Sequence, residues 1–352
     1  MCGYSKSPKT NRHHHIGERG AVLIMVLLIV ALVAGLGIKF AGDYQLGLAR
    51  AEARWHGAQA RAYLFSGEGA AIKFLSTDDP AADYREELWG QPVPLELPDN
   101  MGNILISIDD ANSKFNLNRL LEVKADFATK APSDASRYMP AQRMFLRLLQ
   151  VLPNPQDPHT PLIPSPEVAI AILEAIVDWT DVDKEESGAG GAEDGYYLGQ
   201  PDPYQAANMP FRSIEELQMV RGVTPQIMQA LRPYITVLDP GEVLNINTMP
   251  EIMFRCINLS TELTPLSESQ AKALVAEKPT TGFYASLSDF ETAWNKIGAG
   301  AGTPADKELS VNTKYFWLTT IVQIGDQRRV GRSLLQRGTP AFKVVRREEG
   351  GM

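Results

Sequence analysis

The chain has 352 residues, is 44% hydrophobic and 22% charged, and carries a formal net charge of −8. That composition excludes a wholly disordered chain, and the length has room for two or three domains. The acidic balance argues against nonspecific nucleic-acid binding, and two cysteines, Cys2 and Cys256, exclude a disulfide framework and a four-cysteine zinc site.

Residues 1–20 are polar and basic, with Lys6, Lys9, Arg12 and Arg19 against Glu18. An uncharged run of 18 residues comes next, from Ala21 to Ile38, which is the threshold length for a membrane-spanning helix. The preceding basic residues place the N-terminus in the cytoplasm. Three readings compete: a cleavable secretory signal, a permanent signal anchor, and a prepilin-type leader cut between Gly20 and Ala21. The third leaves the apolar run on the mature protein. The residues beyond Lys39 favour it, since Leu48, Trp55, Ala58, Ala62, Phe65, Gly69 and Ile72 recur at helical spacing. One helix is expected over residues 21–75, its first half suited to lipid and its second to protein.

Pro92, Pro94 and Pro98 break that pattern, and Ile104–Ile108 is a short apolar strand. Asn116-Leu117-Asn118 opens a helical region with helices at Ala141–Leu152 and Glu167–Trp179, joined by a Pro-rich connector from Pro153 to Pro166. The stretch from Asp181 to Tyr204 is long, acidic and Gly-rich, with no period. Capping boxes at Ser213/Glu216, Ser267/Gln270 and Ser288/Glu291 start later helices. Phe115-Asn116-Leu117-Asn118 is echoed by Leu244-Asn245-Ile246-Asn247, so two small helical units are expected, 116–240 and 241–302, with 298–303 as a linker. Tyr315–Ile324 and Arg329–Gln336 read as strands of a hairpin turning at Gly325–Arg328, and 339–352 as a tail.

Strands on both sides of a helical block predict an α+β fold: a long N-terminal helix packed on an antiparallel sheet, with a large all-α insertion. The expected organisation is a leader (1–20), a transmembrane half-helix (21–42), a first part of the sheet domain (43–115), the insertion (116–302) and closing strands (303–338).

Between Asp178 and Asp202 stand eight acids, with Lys184 the only base. Hard oxygen donors on a flexible loop suit Ca²⁺, which takes six to eight oxygens. The alternative is a solvated acidic loop. The twelve-residue EF-hand pattern is absent.

The cut site and long helix resemble the type IV pilin and pseudopilin superfamily. Counting from Ala21, the fifth residue is Met25, where that superfamily usually has Glu. The pseudopilin class lacking that Glu is the type II secretion minor pseudopilin called general secretion pathway protein K. Asp109–Asn118, Asp178–Asp183, Gly191–Tyr197, Pro203–Asn208 and Ser213–Val223 resemble it too, and the likeness spans roughly Gly17 to Gly338.

The resemblance implies a structural subunit, not an enzyme. It implies a single-pass inner-membrane protein with a periplasmic C-terminal domain, processed by the prepilin peptidase and methylated. Its partners would be the I and J minor pseudopilins and other pseudopilus subunits. It also implies a tip position, for which Met25 is a candidate determinant because a subunit without the carboxylate cannot neutralise the N-terminal ammonium of a subunit ahead of it. Met25 as one more lipid-facing residue is the alternative. Leu48, Trp55, Ala58, Ala62, Phe65 and Ile72 are the expected partner-facing stripe. Calcium is implied in the acidic loop, with Asp178, Asp181, Asp183, Glu193 and Asp194 as expected ligands. A disulfide found in some members cannot form here within the mature chain, because Cys256 is the only cysteine after residue 20.

Two other functions are open. Residues 244–253 and the helices after them resemble helix-hairpin-helix modules, which bind DNA phosphates. The turn Gly222-Val223-Thr224 lacks the second Gly, and losing the leader lowers the net charge from −8 to −11, so no nucleic-acid partner is expected. A signal-anchored periplasmic enzyme is the other, although no nucleophile elbow, zincin helix or P-loop is present.

Overall fold

The computed structural model describes Gly3 and residues 18–163, 165–299, 304, 308–339 and 341–350. Residues 1, 2 and 4–17 of the expected leader, and residues 300–303 of the expected linker, lie outside these.

Helix α1 (Glu18–Ser76) is continuous from the apolar run into the folded domain. It is the one helix among the described residues long and apolar enough to cross a membrane. Residues 21–55 are all exposed. Beyond them one face is buried on the sheet: Gly57, Ala60, Leu64, Gly67, Ala71 and Leu75, at steps of three and four. This is a different face from the expected stripe. Leu48, Trp55, Ala58, Ala62 and Phe65 point outward, and Ile72 is half-buried.

Small residues carry the contact. A Cβ on Gly67 would come within 2.7 Å of Thr320 on the central strand, whereas one on Gly69 meets nothing within 4 Å. Gly67→Leu is therefore expected to destabilise the fold by about 2 kcal/mol, since overpacking outweighs the better helix propensity. Gly69→Ala should stabilise it by about 0.5–1 kcal/mol. Denaturant unfolding of the two variants side by side checks the pair.

Five antiparallel strands form the sheet, in the order β1-β2-β9-β10-β11. They are β1 (Val93–Glu96), β2 (Gly102–Asp110), β9 (Tyr315–Ile324), β10 (Gln327–Gln336) and β11 (Lys343–Glu349), with β3–β8 lying between β2 and β9 in the chain. Along β9 alternate residues are buried, Phe316, Leu318, Thr320, Val322 and Ile324, and these meet α1 and the core. β9 and β10 join at a two-residue turn, Gly325-Asp326, tighter than the four-residue turn expected, because Gly325 adopts a φ of 52°.

The expected tail is in part the fifth strand. Charged residues hid it: β11 is a sheet edge, where Lys343, Arg346 and Glu348 stay exposed or half-exposed and Val344 packs on the core. Across the inner face, Arg347 pairs with Glu68 of α1 at 2.8 Å, and Ser333 also donates to that carboxylate at 2.5 Å. Burial raises Glu68, but these donors outweigh it and hold the carboxyl below its usual range.

β2 and β9 are neighbours, Asp110 facing Phe316, although residues 111–314 separate them. That insertion has its own large core. Its first part runs β3 (Phe115–Asn116), α2 (Pro140–Val151), β4 (Pro153–Asn154), β5 (Asp157–Pro161), α3 (Pro166–Thr180), α4 (Asp194–Tyr197), α5 (Pro225–Leu231) and β6 (Ile235–Thr236). The second runs β7 (Leu244–Asn245), α6 (Glu268–Ala276), α7 (Leu287–Lys296) and β8 (Leu309–Ser310). Several segments of the insertion read as helical are short 3₁₀ helices, among them those at Leu117–Leu121 and Glu251–Cys256.

The repeated Asn motifs have a shared job. β3 pairs in parallel with β6, and β7 with β8, so each part closes on itself where it begins and ends. In each, the first Asn caps the turn it opens: Asn116 Oδ1 accepts from the N–H of Asn118, and Asn245 Oδ1 from that of Asn247. The second Asn reaches across the unit: Asn118 donates to Phe211 and Leu238 carbonyls, and Asn247 to those of Tyr284 and Val311. Asn245 also donates to the buried Asp110, as do the Thr248 and Thr313 hydroxyls. Burial pushes Asp110 up to about 6 against those four donors, the Asn112 N–H among them.

Two expected caps are present, at Ser213/Glu216 and Ser267/Gln270. The third is shifted: Ser286 with Asp289 caps α7, and Ser288 lies inside the helix, where its carbonyl accepts from Thr292.

Candidate functional site

The acidic loop starts where α3 ends. Glu174 and Asp178 sit one turn apart on the same face of α3, and both are buried. The backbone from Ser187 to Ala192 lies along that face. Asp178 Oδ1 accepts from the Ser187 N–H at 3.0 Å and Oδ2 from the Ala192 N–H at 2.7 Å. Glu174 Oε2 accepts from the Gly190 N–H at 2.8 Å, while its Oε1 pairs with Arg137 at 2.7 Å. Arg137 donates to the Ser187 carbonyl, and Arg221 to that of Gly191.

The glycines of this loop give it room against α3. A Cβ on Gly188 would overlap the Glu174 carboxylate, on Gly190 the Ala171 backbone, and on Gly191 the Asp178 carboxylate. None of the three has a left-handed φ. Close approach to α3, not backbone freedom, requires them.

Of the five expected ligands, three converge. One carboxylate oxygen from each of Asp181, Asp183 and Glu193 lies within 4.8 Å of the others. Asp178 stands behind the loop with both oxygens engaged by backbone N–H groups. Asp194 is turned aside, accepting from the Ala206 N–H at 3.2 Å and pairing with Lys184 at 3.3 Å. α4, which begins at Asp194, was not expected within this loop.

Both oxygens of Glu193 and Oδ1 of Asp181 are buried and have no hydrogen-bond donor. Leaving such atoms unpaired is costly. Burial and the facing carboxylates push Asp181 up to about 6 and Glu193 up to about 7. Burial also raises Asp178. The set contains hard oxygens and no His or Cys, so it fits a hard divalent cation such as Ca²⁺ rather than zinc or copper.

A second acidic group, Asp78, Asp83 and Glu87, lies just past the end of α1. It already has its cation. Arg337 pairs with Asp83 at 2.7 Å and with Asp78 at 3.1 Å. Sequence reasoning missed this group because Arg337 lies far away in the chain. Asp109 and Asp110 alternate across β2, one exposed and one buried. Cys256 is a buried free thiol, pushed up to about 12 by burial.

The family model for type II secretion system protein K matches residues 113–240. Type II secretion system protein K of Pectobacterium carotovorum is 30% identical over 95% of this chain and 97% of its own length. That of Pseudomonas aeruginosa is 29% identical over 95% of this chain and 93% of its own. Among solved structures, the GspK-GspI-GspJ complex from the type 2 secretion system of enterotoxigenic Escherichia coli matches with a TM-score of 0.66 and 24% identity. That match covers 86% of this chain and 100% of the solved one.

The architecture is that of an α+β protein whose long N-terminal helix can span a membrane and packs on an antiparallel sheet. Within that class, the chain belongs to the type II secretion system protein K family.

Proposed function

We propose that this chain is a minor pseudopilin at the tip of the type II secretion pseudopilus, where it nucleates and caps assembly and performs no catalysis. One observation supports this most: a single helix runs from the apolar segment into the sheet domain, with a bulky insertion beyond it. A fibre subunit needs that continuity, and the insertion blocks addition above it. The related solved complex joins GspK to GspI and GspJ, and the partners here are the I and J types, with other pseudopilus subunits below. The prepilin peptidase cuts between Gly20 and Ala21, the new N-terminus is methylated, and α1 stays in the inner membrane with the rest of the chain periplasmic. Met25 leaves the tip subunit without the carboxylate that a subunit ahead would need.

The loop after α3 binds a structural Ca²⁺. Asp181, Asp183 and Glu193 hold it, with Asp178 and Asp194 bordering the site. The ion supplies the positive charge that the buried Glu193 oxygens lack.

Mass spectrometry of the membrane-extracted chain, with and without the prepilin peptidase, tests the class. The expected result is a peptidase-dependent start at Ala21. A chain beginning at Met1, or near Lys39, overturns it. The partner stripe has its own test at Trp55, which is 66% exposed, whereas Phe65 lies under the Arg347 guanidinium at 5.6 Å. Trp55→Asp should abolish co-purification with the I and J partners. The unfolding free energy should move by less than about 0.5 kcal/mol.

A further inference from the structure

We infer that Arg137, Glu174 and Arg221 are positioning residues for the cation loop, setting the Ca²⁺ affinity of carboxylates to which they contribute no oxygen. This rests on the proposal that the loop binds calcium.

The loop leaves α3 at Asp181 and must return so that Glu193 faces Asp181 and Asp183. Three like charges brought together repel, so convergence has to be enforced by something else. The backbone just before Glu193 is held from two sides. Glu174 takes the Gly190 N–H at 2.8 Å, and Arg221 donates to the Gly191 carbonyl at 2.8 Å. Arg137 fixes the other end of the same stretch through the Ser187 carbonyl at 3.0 Å.

Arg137 and Glu174 have side chains only 2% and 3% exposed. An apolar pair of similar volume usually stabilises a fold as well as a buried ion pair does. Stability alone therefore does not call for charge here. Toward the loop the pair supplies an acceptor for the Gly190 N–H and a donor for the Ser187 carbonyl, and Arg137 is itself anchored by donating to the Phe127 carbonyl at 2.5 Å. Folding thereby meets part of the cost of convergence before any ion arrives, and affinity rises accordingly. Arg221 adds a third tie and is braced over the Tyr196 ring at 4.8 Å.

The test uses the full chain in detergent, with Ca²⁺ and Sr²⁺ titrated by calorimetry. Arg137→Met/Glu174→Leu replaces the buried pair by apolar side chains, and Arg221→Met removes the outer tie. Each should raise the Ca²⁺ Kd by about 10- to 100-fold, the range seen when supports of metal ligands are removed. The Sr²⁺/Ca²⁺ ratio of Kd values should also fall toward one, because a loosened loop no longer selects by ion size. Lost stability alone would not change that ratio. Arg221→Lys, which keeps a donor, should recover most of the affinity. If the double variant fails to fold, Arg221→Met decides the matter, since Arg221 is half-exposed. Unchanged Kd and ratio in folded variants overturn this inference alone. No Ca²⁺ binding by the unsubstituted chain overturns the calcium proposal, and this inference with it.

Discussion

Replacing Arg337 by Met is expected to destabilise the chain by about 3 kcal/mol at pH 8, and by clearly less at pH 5. The arginine is the countercharge for Asp83, whose side chain is 0% exposed, and for Asp78. It also donates to the Thr313 carbonyl, at the point where the insertion returns to the sheet. Removing one partner leaves buried charge uncompensated, which costs about 3–5 kcal/mol. The pH dependence comes from the carboxyls left behind. Burial, then Glu87 and Asp83, push Asp78 up to about 7, well above the ordinary aspartate range. Burial also raises Glu87. A carboxyl whose folded pKa is raised binds its proton more tightly in the native state. Its favourable contribution is complete below the unfolded pKa and is lost as pH rises through the folded one. At pH 5 the cluster can take up protons in place of the missing guanidinium, and at pH 8 it cannot. Denaturant midpoints at both pH values measure the difference. An equal loss at both would show that Arg337 acts only through contacts that do not titrate, its bond to the Thr313 carbonyl and its stacking on Phe316 and Phe342, over which its guanidinium lies at 5.0 and 5.7 Å.

The second large effect concerns the loop after α3. Raising free Ca²⁺ to about 100 times its Kd should increase the unfolding free energy by about 2.7 kcal/mol, the mass-action gain from a ligand that binds only the folded state. Glu193→Gln should remove that increment. The same substitution should raise stability slightly in chelator, because one of three facing carboxylates is gone and its buried oxygens have no donor to lose. The sign of its effect should thus reverse between chelator and calcium. A variant that is equally destabilised in both would mean that Glu193 serves packing alone.

How much of the molecule is legible in its sequence depends on whether a pattern lies within one element. α1, α3 and β9 carry periods of 3.6 or 2 over many residues, and the sequence places their limits to within a few positions. It does not reveal the sheet-facing side of α1, which consists largely of Gly57, Ala60, Gly67 and Ala71. A search for large apolar residues finds the opposite side. β11 escapes notice because an edge strand keeps its charges in water. In the loop, the acids are visible but their division of labour is not. Asp178 and Asp194 look like Asp181 in a sequence, and only the path of the backbone separates an acid that receives N–H groups from one that receives none. The ties of Arg137 to Ser187, Arg221 to Gly191 and Arg337 to Asp83 join residues 30 to 254 positions apart, and nothing local announces them.

The two parallel ladders, β3 with β6 and β7 with β8, bear on how the sheet can be completed. β2 has to wait for β9 across residues 111–314, and pairing over so long a span is slow and entropically expensive. Once each ladder has closed, most of that span no longer counts as loop. What joins β2 to β9 is then three connectors of fewer than about twenty residues in all, which lowers the closure cost by about 2 kcal/mol. The helical insertion is in this sense a detour that has been pinched shut twice, and the strands on either side of it meet much as the arms of an ordinary hairpin do.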